Sequence, residues 1–285
     1  DRVTASVRYH TAVDNANRIA QSRTFYDALG RVFKTEIDGM DPATGDVTGT
    51  LTGQNWYDLV GNVIKQSQAG NTAFTKTVYD ELNRPTVAYL CCRPGVAGVP
   101  SGDDNSVVDD TVIEQSNTLY DRGGNVIMQT RKQRFDDAVG TGVLNGPQTE
   151  PKSRDTYGMT WPDALGRPRV SADYGTNGGS VPTRRDVAPQ RSDTILVTTN
   201  RYKDSGDANA VIDPMGIETR WDNDQAGRRI RLIEGLDVAA PARAWSGNGA
   251  NGAACSNPPY PPHPTPRITE FVWHSNGQLS KPILV

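Results

Sequence analysis

The sequence predicts an all-β protein in which β-hairpin repeats form a curved antiparallel sheet. Three observations predict this class. One short phrase recurs along the chain, its copies are spaced at near-multiples of roughly twenty residues, and the intervening segments alternate with period two. Repeats of this kind indicate an array of similar units, because a single unit is too small to bury a face of its own.

The recurring phrase is aromatic-Asp-x-x-Gly-Arg followed by an apolar residue. The candidate turn and repeat residues are, in chain order, Tyr26, Asp27, Gly30 and Arg31; Tyr57, Asp58 and Gly61; Tyr79 and Asp80; Tyr120, Asp121 and Gly124; Asp163, Gly166 and Arg167; Trp221, Asp224 and Gly227; and, in a decayed copy, Trp273 and Gly277. The Asp positions 58, 80, 121, 163 and 224 lie 22, 41, 42 and 61 residues apart. These gaps are close to one, two, two and three units of about twenty residues.

Each phrase predicts the tip of a β-hairpin. An Asp carboxylate that accepts a backbone N–H two residues on opens a tight turn, and a Gly three residues after it supplies the left-handed conformation that reverses the chain. We expect the aromatic ring to lie over its cross-strand neighbour and the Arg to reach back to the carboxylate. A second turn type, Asp213-Pro214-Met215-Gly216, precedes Asp224 by eleven residues, which predicts strands of about six residues between alternating turns.

The segments beside the turns read as strands. Phe33, Thr35 and Ile37 alternate with Val32 and Lys34, and β-branched and aromatic residues are frequent there. Long helices are not indicated. The predicted organisation is a hairpin repeat array over 1–235, a Gly/Pro-rich segment over 236–266, and a final decayed repeat over 267–285. The middle segment reads as an insertion in a repeat loop or as a strap or docking ligand.

Together, the Tyr-Asp-x-x-Gly-Arg phrases and the Asp-Pro-Met-Gly turn within Val211–Trp221 resemble the YD repeats of rearrangement-hotspot (RHS) proteins. This family includes bacterial wall-associated proteins, toxin-complex cocoon subunits and teneurins. The resemblance spans most of residues 20–285. It implies a spiralling sheet that closes into a hollow shell, often around a toxic C-terminal segment. The chain departs from the pattern at Pro162 and Asn223, which occupy aromatic positions, and no stretch resembles the self-cleaving core of toxin-bearing members.

Composition agrees with a sheet-rich, secreted protein. Hydrophobic residues make up 35% of the chain, the net charge is −3, and no basic patch for nucleic acid or apolar run long enough for a membrane span is present. The chain begins at Asp1 and not at Met, which favours a processed product or a segment of a longer protein. Cys91, Cys92 and Cys255 are an odd set, so Cys255 either forms a disulfide with Cys91 or Cys92 or all three are buried small hydrophobes.

No catalytic, cofactor or metal site is predicted. A Cys92-His-Asp arrangement requires a proximity that no motif supports, and the carboxylates of the phrases are already assigned to turns. The acidic loop at Asp103-Asp104-Asn105, followed by Asp109 and Asp110, lacks the regular order of a calcium loop and reads as a solvated loop. We therefore expect no enzyme activity and no cofactor.

Three functions remain open at this stage: a structural segment of an RHS-like secreted shell, a subunit of an extracellular fibre that assembles through open strand edges, and a glycan-binding adhesin. The expected partners are other segments of a larger parent protein, further copies of this chain, or cell-surface glycans, and the expected location is extracellular or at the cell surface.

Overall fold

A computed structural model describes residues 2–11, 13–92, 106–237, 267–273 and 278–284. Its strands are β1 (Arg2–Tyr9), β2 (Arg18–Tyr26), β3 (Val32–Met40), β4 (Val47–Tyr57), β5 (Val63–Ser67), β6 (Ala73–Tyr79), β7 (Pro85–Cys92), β8 (Thr111–Tyr120), β9 (Val126–Arg134), β10 (Ser153–Pro162), β11 (Pro168–Asp173), β12 (Leu196–Tyr202), β13 (Ala208–Ile212), β14 (Ile217–Asn223), β15 (Arg229–Asp237), β16 (Arg267–Trp273) and β17 (Leu279–Leu284). Two 3-10 turns, Asn15–Asn17 and Asn177–Gly179, are the only helical segments among the described residues.

The all-β prediction is confirmed, and each of the two compact units is built from antiparallel hairpins. Unit 1 comprises the described residues of Asp1–Tyr120, Met128–Tyr157 and Thr176–Val181, and unit 2 those of Asp121–Ile127, Gly158–Gly175 and Pro182–Val285. In unit 1, β1 to β7 each pair antiparallel with the next strand along the chain, so that the series ends at β8. In unit 2, the second half of β10 and the strands β11 to β16 do the same, and the series ends at β17. The predicted division at 235 and 266 stays a prediction, since most of 236–266 lies outside the described residues.

A β-bulge follows the turn in six of the hairpins. In the first, Tyr26 lies opposite Val32 while Phe25 lies opposite Lys34, so that Phe33 is the extra residue. A bulge of this kind locally bends and twists the pair of strands. The same offset, six residues after the first residue of the turn, recurs at Ile64, Thr86, Arg169, Asn209 and Ile230. Period-two alternation did not reveal this extra residue.

The core of unit 1 mixes apolar and charged side chains. Its buried apolar cluster is Phe74, Tyr89, Cys91, Val107, Val112 and Leu144. On β6 the side chains alternate between buried and exposed, and the buried ones are Phe74 and Lys76, with Thr75 exposed between them. Lys76 is buried because its Nζ lies 2.7 Å from a carboxylate oxygen of the fully buried Asp110. A buried ammonium is stable only when such a partner is present.

A second buried carboxylate, Asp38 on β3, is held by three neighbours. It accepts hydrogen bonds from Thr50 Oγ1 at 2.6 Å, Arg23 Nη2 at 3.0 Å and Gln21 Nε2 at 3.0 Å. The hydrogen bond from Thr50, together with the Arg23 and Gln21 contacts, lowers the pKa of Asp38 in spite of burial. Ile37 beside it is half exposed, so β3 turns a charged and not an apolar side chain inward.

Candidate functional site

The Asp27 turn defines the repeated structural site. The Asp27 Oδ1 atom accepts the backbone N–H of Leu29 and of Arg31, both at 2.9 Å, and Oδ2 accepts Arg31 Nε at 2.7 Å. The Asp27 N–H donates to the Arg31 carbonyl at 2.9 Å, and the Gly30 N–H donates to the Asp27 carbonyl at 3.0 Å. One carboxylate therefore fixes the backbone and the Arg of its own turn, and the prediction that the Arg reaches back to it is confirmed.

The same geometry recurs at the other phrases. Arg84, Arg167 and Arg228 each donate Nε to the carboxylate four residues before them, at 2.8, 2.7 and 2.8 Å. Where the Arg is replaced, Asn62 and Asn125 supply an amide donor instead, each at 2.9 Å from the carboxylate. Each of the six phrase turns therefore has a side-chain donor at its fifth position, and either a guanidinium or an amide serves.

Positive φ at the fourth turn position is also confirmed. Gly30 has φ 77°, and Gly166 has φ 78°, both in the left-handed region that favours glycine. Gly61, Gly124 and Gly227 share the conformation. In the Asp80 turn the same position is filled by Asn83 with φ 60°, and asparagine tolerates this region better than most residues.

The hydrogen bonds at the turns lower the pKa of all six phrase carboxylates. For Asp27 and Asp80 the main cause is the backbone N–H of the Arg at the fifth position. For Asp163 and Asp224 it is the side-chain hydrogen bond from that Arg, and for Asp121 it is the one from Asn125. Burial opposes the effect most strongly at Asp58, where the hydrogen bonds from Asn62, Gly61 and Val60 outweigh it.

Successive turns are joined by an interlock that the sequence did not reveal. The guanidinium of Arg31 lies 4.4 Å from the ring centroid of Tyr57, the aromatic residue of the next phrase. The Tyr57 hydroxyl in turn donates to the Val32 carbonyl at 2.8 Å. The ring of Tyr57 thus contacts Arg31, the fifth residue of the preceding turn, and its hydroxyl binds Val32, the first residue of β3. The expectation of a ring over a cross-strand neighbour omitted this Arg.

The interlock repeats within each unit. In unit 1, the Tyr79 hydroxyl donates to the Val63 carbonyl at 3.1 Å, and Tyr120 donates to the Pro85 carbonyl at 3.0 Å under the guanidinium of Arg84. In unit 2, Tyr202 donates to the Pro168 carbonyl at 3.0 Å, with Arg167 at 4.3 Å from its ring. Trp273 Nε1 donates to the Arg229 carbonyl at 2.7 Å, with Arg228 at 5.5 Å. The acceptor is always the fifth residue after the first residue of the preceding turn.

A second donor supports two of these carbonyls. Asn55 Nδ2 donates to the Val32 carbonyl at 3.0 Å, alongside Tyr57. Asn200 Nδ2 donates to the Pro168 carbonyl at 2.8 Å, alongside Tyr202. Both asparagines lie two residues before the interlocking tyrosine, on the same face of the strand. The shared Asn-x-Tyr spacing is the signal in the sequence for this second donor.

The remaining predicted residues differ in position. Trp221 lies three residues before Asp224, below the guanidinium of Arg229 at 5.2 Å, and does not occupy the aromatic position of that phrase. The Asp213 turn has the same backbone geometry, because Asp213 Oδ1 accepts the N–H of Met215 and Ile217 at 2.8 Å each and Gly216 has φ 86°. The Asp213 turn connects β13 to β14. It lies at the ends of these two strands that are remote from the phrase turn at Asp224. Gly277 lies outside the described residues.

Sequence reasoning missed the turn at Lys203. Tyr202 leads into Lys203-Asp204-Ser205-Gly206, where the Lys203 N–H donates to the Asp207 carbonyl at 2.9 Å and Gly206 has φ 97°. The Arg167 guanidinium donates to the Gly206 carbonyl at 3.1 Å. The preserved aromatic and glycine are the signals of this turn in the sequence, but Lys203 occupies the position where the phrase has Asp.

The structure describes two of the three cysteines, Cys91 and Cys92. Cys91 is a buried thiol, and burial raises its pKa to about 12, so it is protonated at neutral pH. Cys91 and Cys92 are not bonded to each other. Cys255 and the Asp103-Asp104-Asn105 part of the acidic loop lie outside the described residues, so a Cys255 disulfide stays a prediction. The prediction of a solvated loop is wrong for Asp110, because this carboxylate is fully buried and pairs with Lys76. Within the described ranges, no group of three or more His, Cys, Asp or Glu side chains is arranged to hold a metal ion, and no helix is long and apolar enough to span a membrane.

No family model and no curated protein matches the chain. Among solved structures, it aligns with a chain of the crystal structure of TcdB2-TccC3-Cdc42 at a TM-score of 0.36 and 11% identity, covering 93% of this chain and 14% of that one. It also aligns with a chain of the Photorhabdus luminescens Tc holotoxin pore at a TM-score of 0.30 and 10% identity, covering 96% and 16%. The protein thus spans about a sixth of the length of those chains.

Proposed function

We propose that the chain is a non-catalytic structural scaffold, a segment of an RHS-like secreted shell. The observation that carries the proposal is the interlock, in which the ring and hydroxyl of Tyr57 bind Arg31 and Val32 of the preceding hairpin. An isolated hairpin is marginally stable in water, so contacts between neighbouring hairpins supply much of the stability of a repeat array. Because the aromatic and Arg side chains that recur along this chain make such contacts, the protein is suited to hold a sheet together.

The same side chains are poorly suited to catalysis. The turn carboxylates accept between two and four hydrogen bonds each, as at Asp121 and Asp58, and their lowered pKa values make them weak proton acceptors at neutral pH. The Cys91 thiol is buried and protonated. One face of the Trp221 ring lies under the guanidinium of Arg229 and one face of the Trp273 ring lies under that of Arg228, which disfavours stacking of a sugar on these two faces.

A second candidate, the fibre subunit, is favoured by the exposure of the first strand. β1 pairs with β2, and six of its eight residues are exposed. A strand with an accessible edge can pair with a strand of another molecule. The fibre would grow by this strand addition, whereas a shell segment would use the same edge to continue the sheet of its parent protein.

Electron microscopy of the purified chain, with cell fractionation of its natural source, tests the proposal. We expect short curved or closed particles and recovery of the protein outside the cytoplasm. Filaments that lengthen with concentration would support the fibre instead. Isolated particles that are retained on a glycan array, with retention lost on Trp221→Ala or Trp273→Ala, would support the adhesin. Confinement to the cytoplasm would overturn all three.

A further inference from the structure

A buried ion pair in unit 1 joins β6 to the loop before β8. Lys76 Nζ lies 2.7 Å from Asp110 Oδ2, and the two side chains are 3% and 0% exposed. The carboxyl carbon of Asp110 is therefore at most about 4 Å from Nζ, because a C–O bond adds about 1.2 Å. Atoms that react within an active site are held about 3 to 3.5 Å apart before the bond forms. A small movement of the Lys76 side chain would bring its nitrogen to that distance from the carbon.

Both members of the pair are held by the surrounding backbone. The Lys76 ammonium also donates a hydrogen bond to the Ser106 carbonyl. The Asp110 N–H donates to the Val107 carbonyl at 3.0 Å, and the Asp110 carbonyl accepts the N–H of Gly142 at 2.9 Å. These bonds fix the amine and the carboxyl group beside each other. Fixed geometry of this kind removes much of the entropy cost of a reaction between two groups.

Apolar side chains enclose the pair and keep water away from it. Lys76 Nζ lies 5.8 Å from the ring centroid of Phe74, and Phe74, Val107 and Val112 are buried in one cluster. Charges are costly in such surroundings, and transfer of one proton from the ammonium to the carboxylate leaves a neutral amine beside a carboxylic acid. These are the two forms that condense to an amide. The exclusion of water also disfavours hydrolysis of the product.

A second buried lysine places a proton donor beside the pair. Lys65 is 1% exposed and lies directly opposite Lys76 in the register of β5 and β6. Its Nζ is 5.6 Å from the ring centroid of Phe74. Burial raises the pKa of the Cys91 thiol to about 12, and the charges of Asp110 and of both lysines also act on this thiol. A neighbouring ammonium can stabilise the negative oxygen that forms when an amine adds to a carboxyl group, and it can protonate the hydroxyl group that leaves.

We propose that Lys76 and Asp110 form an intramolecular isopeptide bond. Lys76 Nζ adds to Asp110 Cγ, so that a C–N bond forms and one C–O bond breaks. Lys65 protonates the departing hydroxyl group, which leaves as water, and regains its proton from the Lys76 nitrogen. One ammonium and one carboxylate thus become one amide and one water, and no oxidant or other reactant is consumed.

The bond would tie β6 to the loop before β8 and close a covalent ring from residue 76 to residue 110. Such a ring restricts the unfolded chain in the way that a disulfide does. The sheet of unit 1 would therefore resist unfolding under conditions that reduce disulfides. The inference depends on the geometry of this pair alone and holds whether or not the chain is part of a shell.

Lys132 and Asp155 form the matched comparison within unit 1. Their Nζ–Oδ2 distance is 3.3 Å, and their side chains are 16% and 7% exposed. Asp155 Oδ1 accepts a hydrogen bond from Ser153 Oγ at 2.6 Å, and Lys132 Nζ donates to the Leu144 carbonyl at 2.8 Å. We expect this longer and more accessible pair to remain an ion pair.

Mass spectrometry of the full chain, denatured and reduced, tests the bond. We expect a mass lower than that of the sequence by one water molecule. Trypsin should fail to cleave the denatured chain after Lys76, whose amine is acylated, but should cleave it after Lys132. Lys76→Arg keeps a cation beside Asp110 and cannot form the amide. This variant should have the full mass of its sequence and should be cleaved at position 76.

The role of Lys65 has its own measurement. Lys65→Met keeps an unbranched side chain in the core but removes the proton donor. We expect the linked form to accumulate after synthesis about a hundredfold more slowly than in the parent. Accumulation at the parent rate would overturn the assignment of Lys65 as the proton donor.

Three results would overturn the bond itself. A parent protein of full mass that is cleaved normally after Lys76 does so whether or not any variant folds. A loss of one water that persists in Lys76→Arg would place the modification at another residue. A block of cleavage after Lys132 with normal cleavage after Lys76 would assign the bond to the other pair.

Discussion

The Asp27 turn and the Lys203 turn have the same backbone hydrogen bonds, but the first residue is acidic in one and basic in the other. In both, the first residue donates its N–H to the carbonyl four residues later, at 2.9 Å, and the fourth residue is a glycine with positive φ. Only the Asp27 turn has a carboxylate that accepts the N–H groups of its tip. The glycine and the backbone bonds are therefore sufficient for the reversal, and the carboxylate reinforces a turn that already forms.

The interlock does not depend on the carboxylate of its own turn. Tyr202 precedes the Lys203 turn, yet its hydroxyl still donates to the Pro168 carbonyl at 3.0 Å and its ring still lies under Arg167. The groups that hold Tyr202 come from the preceding turn, whose own carboxylate, Asp163, holds Arg167 at 2.7 Å. A hairpin whose turn lacks the Asp can therefore still be attached to the preceding hairpin through its tyrosine.

Removing the glycine should have the largest effect. We expect Gly166→Val to lower the free energy of unfolding by about 2 kcal/mol, because a side chain at φ 78° is strained and its Cβ would lie 2.5 Å from Asn125 Oδ1. Gly30→Val should cost about 1 kcal/mol, since φ is the same but no atom lies within 4 Å. Urea unfolding measures both.

Gly49→Val is the matched control for these substitutions. Gly49 lies in a strand without positive φ, and its Cβ would meet nothing within 4 Å. A β-branched residue should be neutral or slightly stabilising there. Equal losses at all three glycines would contradict the left-handed turn as the cause.

The interlock should show a coupling between its two donors. Asn55→Ala and Tyr57→Phe each leave the Val32 carbonyl one side-chain donor, and each should cost about 0.5 kcal/mol. The double variant removes both donors and should cost about 2 kcal/mol, so the coupling is about 1 kcal/mol. Gln66→Ala, measured in parallel, corrects for the bond that Asn55 Oδ1 accepts from Gln66. Strict additivity would contradict a shared carbonyl.

The hairpin tips could be predicted from the sequence because their causes are local. An Asp, a residue that tolerates positive φ and a donor at the fifth position are all within five residues, and Asp27 to Arg31 contains all three. The interlock joins residues far apart in the chain, 57 − 31 = 26 positions in the case of Arg31 and Tyr57, and it depends on the register that the bulge at Phe33 sets. Neither the bulge nor the register has a marker in the single sequence.

The buried charges were unpredictable for a similar reason. Alternation on β6 places Phe74, Lys76 and Val78 on one face, and a lysine in that pattern ordinarily indicates the solvent side. The face is buried because Asp110, which lies in a loop more than thirty residues away, reaches Lys76. Long-range pairing of this kind overrides the local pattern, and the same applies to Asp38 and its donors from β2 and β4.

A carboxylate introduced into the Lys203 turn should stabilise the folded protein slightly. The double variant Lys203→Asp, Asp207→Arg supplies an acceptor for the tip N–H groups and a donor at the fifth position, as in the Asp27 turn. We expect a rise in Tm on the order of 1 °C, because the backbone is already formed and only a partly exposed ion pair is added. Lys203→Asp alone should give no rise, since the new carboxylate would face Asp207. A rise for the single variant would contradict the role of the fifth residue.

Acid should weaken the Asp27 turn but leave the Lys203 turn unchanged. The hydrogen bonds of the turn lower the pKa of Asp27 in the folded protein, so its contribution to stability is present above the ordinary carboxyl pKa of about 3.9 and is lost as pH falls through the folded pKa.

Asp27→Asn keeps an acceptor oxygen that cannot ionise. The variant should therefore have a lower urea midpoint than the parent at pH 7, and the gap should close as pH falls below about 3.9. Lys203→Asn is the control, because no carboxylate opens that turn, and its gap should stay constant over the same range. A gap for Asp27→Asn that is independent of pH would mean that the charge of the carboxylate adds nothing to what its oxygen atoms provide as acceptors.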